Sequence, residues 1–120
     1  MAQKIDNPSI IEAAGNKPKI IREFIGRVNS ETDEVSIARM TSPQGWTEPA
    51  QTPLFNEYTI VLKGTLQVKT KEAEYTVKEN ECIITGAGEW VQYSTPFEGG
   101  AEYVAVCVPA FSPDTVHREQ

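Results

Sequence analysis

Short runs of β-branched and apolar residues, separated by turns rich in glycine and proline, recur along most of this chain. The strongest runs are residues 18–28, 35–42, 57–64 and 101–109, with shorter ones between residues 65 and 95. Runs spaced about 8–12 residues apart predict an antiparallel all-β sandwich or small barrel. The sequence contains one short helical candidate, residues 8–15, with Ser9 as its cap and Gly15 as its stop.

The length of the chain, 120 residues, predicts a single domain spanning residues 1–120, with a barrel core at about 19–109 and an arm at each end. The sequence has no apolar run of about 18 residues, as a transmembrane helix requires, and its first residues lack a signal-peptide pattern. We therefore expect a cytoplasmic protein without a membrane partner.

The chain is acidic, with 11 lysines and arginines against 17 aspartates and glutamates, a net charge of −6. Nucleic acids and anionic membranes both select basic surfaces, so this balance predicts that neither is a partner. Cys82 and Cys107 lie in apolar runs, which favours buried reduced thiols over a disulfide or a catalytic thiol. With His117 as the single histidine, a zinc site or a Cys–His pair has little support.

The spacing of residues between Gly45 and Gly64 resembles the first motif of the cupin family, which is Gly, five residues, His, one residue, His, three or four residues, Glu, six residues, Gly. Gly45, Glu57 and Gly64 fall on this frame, while Gln51 and Pro53 stand at its histidine positions. The second cupin motif falls on Asn80, Gly86, Gly88, Val91 and Thr95, where Gly88 alone matches by identity. The resemblance covers about residues 35–109 and implies a cupin jelly-roll barrel, an antiparallel double-stranded β-helix with at most one short N-terminal helix.

Cupins of this kind hold a transition metal with three histidines and one glutamate. Here Gln51, Pro53 and Val91 stand at the histidine positions, and only Glu57 remains. Imidazole is the ligand that suits such ions, so we predict no transition metal and no other cofactor. One alternative is left open, in which Gln51 and Glu57 help to hold a hard ion such as Mg²⁺ weakly.

Without a metal, Glu57 becomes the candidate catalytic residue. Strand alternation places Glu57, Thr59 and Val61 on one face, which the resemblance turns into the barrel lumen. Burial raises the pKa of a carboxylate towards neutrality, as proton transfer at pH 7 requires. The alternative is that Glu57 forms a structural ion pair with Arg39, whose alternation with Val35 and Ile37 predicts an inward side chain at the rim.

Further side chains complete the predicted site. The predicted ligand-binding residues are Gln51, Glu57, Tyr93, Arg39, Trp46 and Phe55. Tyr93 shares a predicted strand face with Val91, and the aromatic residues flank the mouth together with Trp90 unless they serve packing or dimer contacts. His117 is expected to be an exposed terminal residue, with a position over the mouth as the alternative.

These residues predict a pocket for a small polar molecule that works without a metal, as a sensor or as an isomerase, cyclase or lyase that uses Glu57. One alternative is a non-catalytic binding or accessory cupin, and another is a remodelled metal-dependent dioxygenase or isomerase. The resemblance implies a homodimer, to which the apolar run at residues 20–28 would contribute because an exposed apolar strand needs a cover. The sequence gives no substrate and does not establish turnover.

Overall fold

The computed structural model describes residues 1–119 of the chain and contains ten strands and no helix in that range. The strands are β1 (Ser9–Ile11), β2 (Ile20–Ile25), β3 (Ser36–Ser42), β4 (Trp46–Thr47), β5 (Asn56–Gly64), β6 (Leu66–Thr70), β7 (Glu74–Val77), β8 (Cys82–Thr85), β9 (Val91–Thr95) and β10 (Ala101–Val108). The all-β jelly-roll prediction is therefore confirmed. Within the same residues, no helix is long and apolar enough to cross a membrane.

The strands form two antiparallel sheets that face each other. One sheet has six strands in the order β1-β2-β3-β10-β5-β8, and the other has four in the order β4-β9-β6-β7. The long strand β10 lies at the centre of the larger sheet, where Ala105 pairs with Ala38 on one side and with Thr59 on the other. Its side chains alternate between buried and half-buried along most of its length, as expected for a strand that covers a core with one face.

Two turns fix the register of the strands. The β5–β6 turn passes through Gly64, whose φ of 78° lies in the left-handed region that glycine adopts without strain. The β6–β7 turn is closed by a hydrogen bond from the Thr70 amide to the Ala73 carbonyl at 2.8 Å. Residues 71–73 therefore form a tight turn that joins β6 to β7.

The interior contains two hydrophobic clusters. The larger cluster has nine buried members, Trp46, Val61, Leu66, Val68, Val77, Val91, Tyr93, Ala101 and Tyr103. The smaller one consists of Phe55, Cys107 and Val116, with Phe111 packed against it. Residues of both clusters line one cavity, so the candidate site lies between them inside the barrel.

Three local predictions are wrong. The helical candidate at residues 8–15 forms strand β1, because Ser9–Ile11 pair with Glu23–Ile21 of β2 and the ladder satisfies their backbone. Cys82 is exposed on the edge strand β8, whereas Cys107 is buried as predicted; neither forms a disulfide. Arg39 points out of the barrel rather than into it, because the residues of β3 that face inward are Ser36, Ala38, Met40 and Ser42.

Candidate functional site

A small cavity of about 60 Å³ lies inside the barrel and contains an unusual number of polar groups. Glu57 reaches it from β5, Tyr93 from β9, and Glu48 and Gln51 from the segment that follows β4. Ala38, Ala105 and Met40 supply apolar wall from the larger sheet. The polar side chains that line it include Lys19, Glu48, Gln51, Glu57, Tyr93 and Arg118.

One side of the cavity is closed by a segment near the N-terminus, residues 9–19, called here the N-terminal strap. Ile11, Ala14 and Lys19 of the strap line the cavity. The Trp46 indole Nε1 donates a hydrogen bond to the Ala14 carbonyl at 3.0 Å, and the Thr47 amide donates to the strap's Asn16 Oδ1 at 2.8 Å. The strap is therefore fastened to β4, next to Glu48.

The other side is closed by residues 111–119, called here the C-terminal arm. The backbone of the arm pairs with residues 50–54, with bonds from the Leu54 amide to the Thr115 carbonyl at 2.9 Å and from the Glu119 amide to the Ala50 carbonyl at 2.7 Å. Phe111 packs its ring edge-on against Phe55, with ring centroids 6.0 Å apart. Val116 and Arg118 of the arm line the cavity, so both ends of the chain enclose Glu57.

Glu57 is the group in this cavity whose protonation is poised near neutral pH. Burial in the barrel is the largest effect and the charge of Glu48 adds to it, which together raise the pKa of Glu57 to about 7. Lys19 and Arg118 act in the opposite direction, as does a long hydrogen bond of 3.5 Å from the Thr59 hydroxyl. At pH 7, Glu57 can therefore both accept and donate a proton.

Glu48 and Lys19 complete the electrostatics of the cavity. Burial raises the pKa of Glu48, and Lys19 and Arg118 partly counter this. Burial lowers the pKa of Lys19, but Tyr103 and Glu48 outweigh it and leave that pKa raised. The Lys19 ammonium also lies 4.1 Å from the centroid of the Trp46 ring, a cation–π contact.

A third buried carboxylate, Glu23, has a structural role. Its Oε1 accepts hydrogen bonds from the amides of Val28 and Asn29, both at 3.0 Å, and so fastens the turn after β2. Glu48 and Glu57 have no backbone donors of this kind in the hydrogen bonds described for residues 1–119. These two glutamates are therefore the carboxylates of the cavity that are available for chemistry.

Gln51 and Arg118 each have one side-chain atom whose hydrogen-bonding capacity is not satisfied in the described residues. Within residues 1–119, Gln51 Oε1 and Arg118 Nε are buried and have no hydrogen-bond partner. The backbones of the two residues form an antiparallel bridge, and both side chains line the cavity. Since buried polar groups are nearly always paired, this acceptor and this donor mark the cavity as a polar site rather than a packing defect.

The structure brings together four of the predicted site residues, Gln51, Phe55, Glu57 and Tyr93, around the one cavity. Burial raises the pKa of Tyr93 well above its ordinary value, and its hydroxyl is paired with that of Thr85 at 2.9 Å. The predicted Arg39–Glu57 pair is wrong. Arg39 instead forms an exposed ion pair with Glu102 at 3.2 Å on the outer face of the larger sheet.

The remaining aromatic and histidine predictions have mixed outcomes. Trp46 is fully buried in the larger cluster and does not line the cavity. Trp90 is half-buried and donates from Nε1 to Glu119 of the C-terminal arm at 2.9 Å. His117 is exposed, as expected, with its ring Nε2 3.1 Å from the Asp114 carbonyl oxygen.

Sequence reasoning missed the three charged residues of the cavity that act on Glu57, which are Lys19, Glu48 and Arg118. Lys19 and Arg118 lie in the strap and the arm, far from Glu57 along the chain, and Glu48 lies in the loop after β4. The signal that could have identified Glu48 is its place inside the Gly45–Gly64 frame. No local pattern marks the other two.

The residues at the cupin metal positions do not fit a transition metal. Pro53 and Val91 carry no side-chain donor, so Glu57 and the amide of Gln51 are the groups that remain of the four-ligand set. Within residues 1–119, no group of three or more His, Cys, Asp and Glu side chains is placed to hold a metal ion.

Solved structures that are similar in fold to this chain include cupins. A predicted oxalate decarboxylase of Thermotoga maritima has a TM-score of 0.71 and 17% identity, covering 86% of this chain and 92% of that one. The polyketide cyclase RemF of Streptomyces resistomycificus has a TM-score of 0.76 and 16% identity, covering 100% and 87%. An RmlC-like cupin of Shewanella frigidimarina has a TM-score of 0.72 and 10% identity, covering 90% and 89%. This chain therefore has the cupin fold, with the metal-binding histidines replaced.

A comparison with curated proteins gives a relative of a different kind. The chain is 40% identical over 101 residues to a protein of Myxococcus xanthus named endoribonuclease YbeY. The matched segment covers 84% of this chain. The chain spans about a third of that relative's length, since the match covers 34% of it. No protein-family model matches the chain.

The similarity to a protein named as an endoribonuclease contradicts two predictions made from the sequence, a pocket for a small polar molecule and the absence of a nucleic-acid partner. Two physical reasons explain the errors. A cavity of about 60 Å³ is much smaller than the roughly 300–1,000 Å³ of typical ligand pockets. A net charge describes one chain, whereas RNA can be bound by another domain of the same protein or assembly.

Proposed function

We propose that this chain works in RNA processing, as a cupin module that accompanies an endoribonuclease domain and helps to select the RNA that is cut. The observation that carries this proposal is the extent of the match to the Myxococcus protein. The similarity reaches 40% identity over 84% of this chain, yet occupies only 34% of the relative. The remaining two-thirds of the relative is long enough to hold a separate nuclease domain.

The geometry of the barrel supports a module rather than the nuclease centre. The strap and the arm leave a cavity of about 60 Å³, which does not admit a nucleotide. Two of the charged groups that line it are the buried carboxylates of Glu48 and Glu57, which repel phosphate. These features favour cleavage chemistry outside this barrel.

Domain replacement in the Myxococcus relative tests the proposal. We would compare three proteins: the relative, the relative without the segment that matches this chain, and the relative with this chain in place of that segment. Mapping the cleaved ends of cellular RNA should show cleavage by all three, with sites altered by the deletion and restored by the replacement. Unchanged sites after the deletion would refute a selecting role.

A second candidate function is that the barrel itself takes part in RNA cleavage, with Glu57 as the proton-transfer residue predicted from the sequence. The observation that favours it is a carboxylate with a pKa of about 7 in one cavity with Lys19 and Arg118. A lysine and an arginine could stabilise charge on a phosphate in the transition state. The isolated chain would then cleave RNA, and Glu57→Gln would abolish the activity, whereas the module proposal expects no cleavage by either protein.

We also propose that the protein is a homodimer and that it is located in the cytoplasm. The outer face of the larger sheet exposes Tyr58, Ile60 and Leu62, each about 40% accessible, which supports a homodimer that covers this face. Analytical ultracentrifugation of the chain and of Ile60→Lys tests it, since the variant should sediment as a monomer. A cytoplasmic location agrees with work on RNA, and cell fractionation tests it.

A further inference from the structure

The edge strand β8 is short, at four residues, but otherwise lacks the features that usually protect the edge of a sheet. β8 (Cys82–Thr85) is the last strand of the six-stranded sheet, and within residues 1–119 no strand pairs with its outer side. Its sequence, Cys-Ile-Ile-Thr, has no charged residue and no proline, and Ile84 is 67% exposed. Proteins normally blunt such an edge with lysine, proline or a bulge, because it is a template for another strand.

The hydrogen-bonding pattern shows which backbone groups of β8 point outward. The Val61 amide donates to the Glu81 carbonyl at 3.0 Å, and bonded and non-bonded pairs alternate along an antiparallel ladder. Thr59–Ile83 and Glu57–Thr85 are then the bonded pairs, while Ile60–Cys82 and Tyr58–Ile84 are not. The N–H and C=O groups of Cys82 and Ile84 therefore face away from β5, towards solvent.

The two sides of this edge differ in chemistry. On the outer side, exposed Ile84 lies opposite Tyr58, which is 42% accessible, so a strand added here would meet apolar surface. On the inner side, an open groove of about 550 Å³ runs along β7 to the start of β8. Glu81 lines this groove and accepts a hydrogen bond from the Lys78 amide at 2.8 Å, whereas the Glu74 carboxylate accepts one from Gln67 on the outer face of the smaller sheet. Residues 71–82 contain four glutamates against two lysines, so the surroundings of the groove are acidic.

We infer that the β8 edge is a docking site for an extended segment of a partner protein in which apolar and basic side chains alternate. The segment would add a strand to the larger sheet through the backbone of Cys82 and Ile84, as in other complexes formed by strand addition. Side chains of a strand point alternately to its two faces, so its apolar residues would cover Ile84 and its basic residues would face Glu81. This inference goes beyond the proposed role in RNA processing and does not depend on it.

Synthetic peptides test the inference directly. The probe is a short peptide of alternating valine and lysine, and its controls are a valine–glutamate peptide and a peptide with the valines and lysines in two separate blocks. Fluorescence anisotropy should show saturable binding of the first peptide only. Hydrogen exchange should show new protection of the Cys82 and Ile84 amides in its presence.

Variants at matched positions separate docking at this edge from non-specific attraction. Ile84→Lys should weaken binding by at least about tenfold, whereas Ile10→Lys on the opposite edge strand β1, where Ile10 is 68% exposed, should not change it. Ile84→Pro should also block binding, because proline lacks the N–H with which the added strand would pair. The sheet itself should be kept, since this N–H is not used within it. Glu81→Gln should weaken binding and reduce its dependence on salt, whereas Glu74→Gln, on the outer face of the smaller sheet, should have little effect.

Three results would overturn the inference: equal binding of the acidic peptide, no added protection at Cys82 and Ile84, or undiminished binding by folded Ile84→Lys. Sedimentation tests the alternative that a second copy of the chain binds at this edge. A dimer that is lost in Ile84→Pro but kept in Ile60→Lys would show that the edge pairs with itself, and the proposed partner would be wrong.

Discussion

Glu48 and Glu57 face the same cavity from different parts of the barrel, and the charge of Glu48 raises the pKa of Glu57 beyond the effect of burial. Glu48 follows β4 in the smaller sheet and Glu57 lies on β5 in the larger sheet. Among residues 1–119, the ion pairs closer than 4.0 Å are on the surface, Lys4–Asp6 at 3.3 Å and Arg39–Glu102 at 3.2 Å. Lys19 and Arg118 therefore act on the two glutamates over longer distances, and a partly protonated Glu57 results.

The first prediction concerns the stability of the protein as a function of pH. Because the pKa of Glu57 rises from 4.5 in the unfolded chain to about 7 in the folded one, the folded protein binds more protons between these values. The free energy of unfolding should therefore fall as the pH rises through this window, by an amount on the order of 3 kcal/mol from this residue. Glu57→Gln should remove this loss and be the more stable protein at pH 8.

Urea unfolding at pH 5 and pH 8 measures this effect. The exposed Glu98 provides the control, since Glu98→Gln should keep the dependence of the wild-type protein. An equally steep decline in Glu57→Gln would show that other groups cause it.

The second prediction concerns the coupling of the two glutamates. Glu48→Gln removes a neighbouring negative charge while keeping the shape of the side chain, so the pKa of Glu57 should fall below about 7. A carbon-detected NMR titration of the glutamate carboxyl groups reports this value directly. Glu102→Gln, on the outer face of the larger sheet, serves as the comparison and should leave the pKa of Glu57 unchanged.

The third prediction concerns Lys19, which contributes both charge and a contact with Trp46. Lys19→Met should raise the pKa of Glu57, because a cation that favours the carboxylate is lost. It should also destabilise the protein by about 1–2 kcal/mol through loss of the cation–π contact. Thermal unfolding and the same NMR titration provide the two measurements. Lys63→Met, at an exposed position, should change neither, and an unaltered titration of Glu57 in Lys19→Met would contradict the assigned role.

The fourth prediction concerns Gly64, the last glycine of the frame recognised in the sequence. Its φ is 78°, and a Cβ at this position would collide with the carbonyl oxygen of Gly100. Gly64→Ala should therefore destabilise the protein by at least about 2 kcal/mol. Gly86→Ala tests the explanation, because a Cβ there meets nothing within 4 Å and should have little effect. Comparable losses in both variants, measured by urea unfolding, would show that the collision is not the cause.

Strand alternation predicted much of the site because it is a local rule. It correctly placed Glu57 and Tyr93 inside the barrel, and the spacing of Gly45, Glu57 and Gly64 correctly indicated the fold. It failed at Arg39 because both faces of the larger sheet carry apolar residues. The outer face has Ile37, Ile60 and Val106, so an apolar neighbour does not identify the inward side of β3.

The rest of the site could not be predicted from local patterns. Lys19 and Arg118 reach Glu57 because the two ends of the chain fold over the barrel, and such contacts depend on tertiary structure rather than on spacing. The same holds for β1, where pairing with β2 overrides the helical preference of residues 8–15. The predicted absence of a nucleic-acid partner rested on net charge, which describes this chain alone, and the similarity to a protein named as an endoribonuclease contradicts it.

The closure of the barrel by the strap and the arm also has a kinetic consequence. The strap and the arm cover the cavity that holds Glu57, so they should slow its exchange of protons with bulk water. After a sudden change of pH, the carboxyl group should respond faster in a variant whose arm is loosened from residues 50–54. The protonation state of Glu57 would then lag behind the pH of the solution.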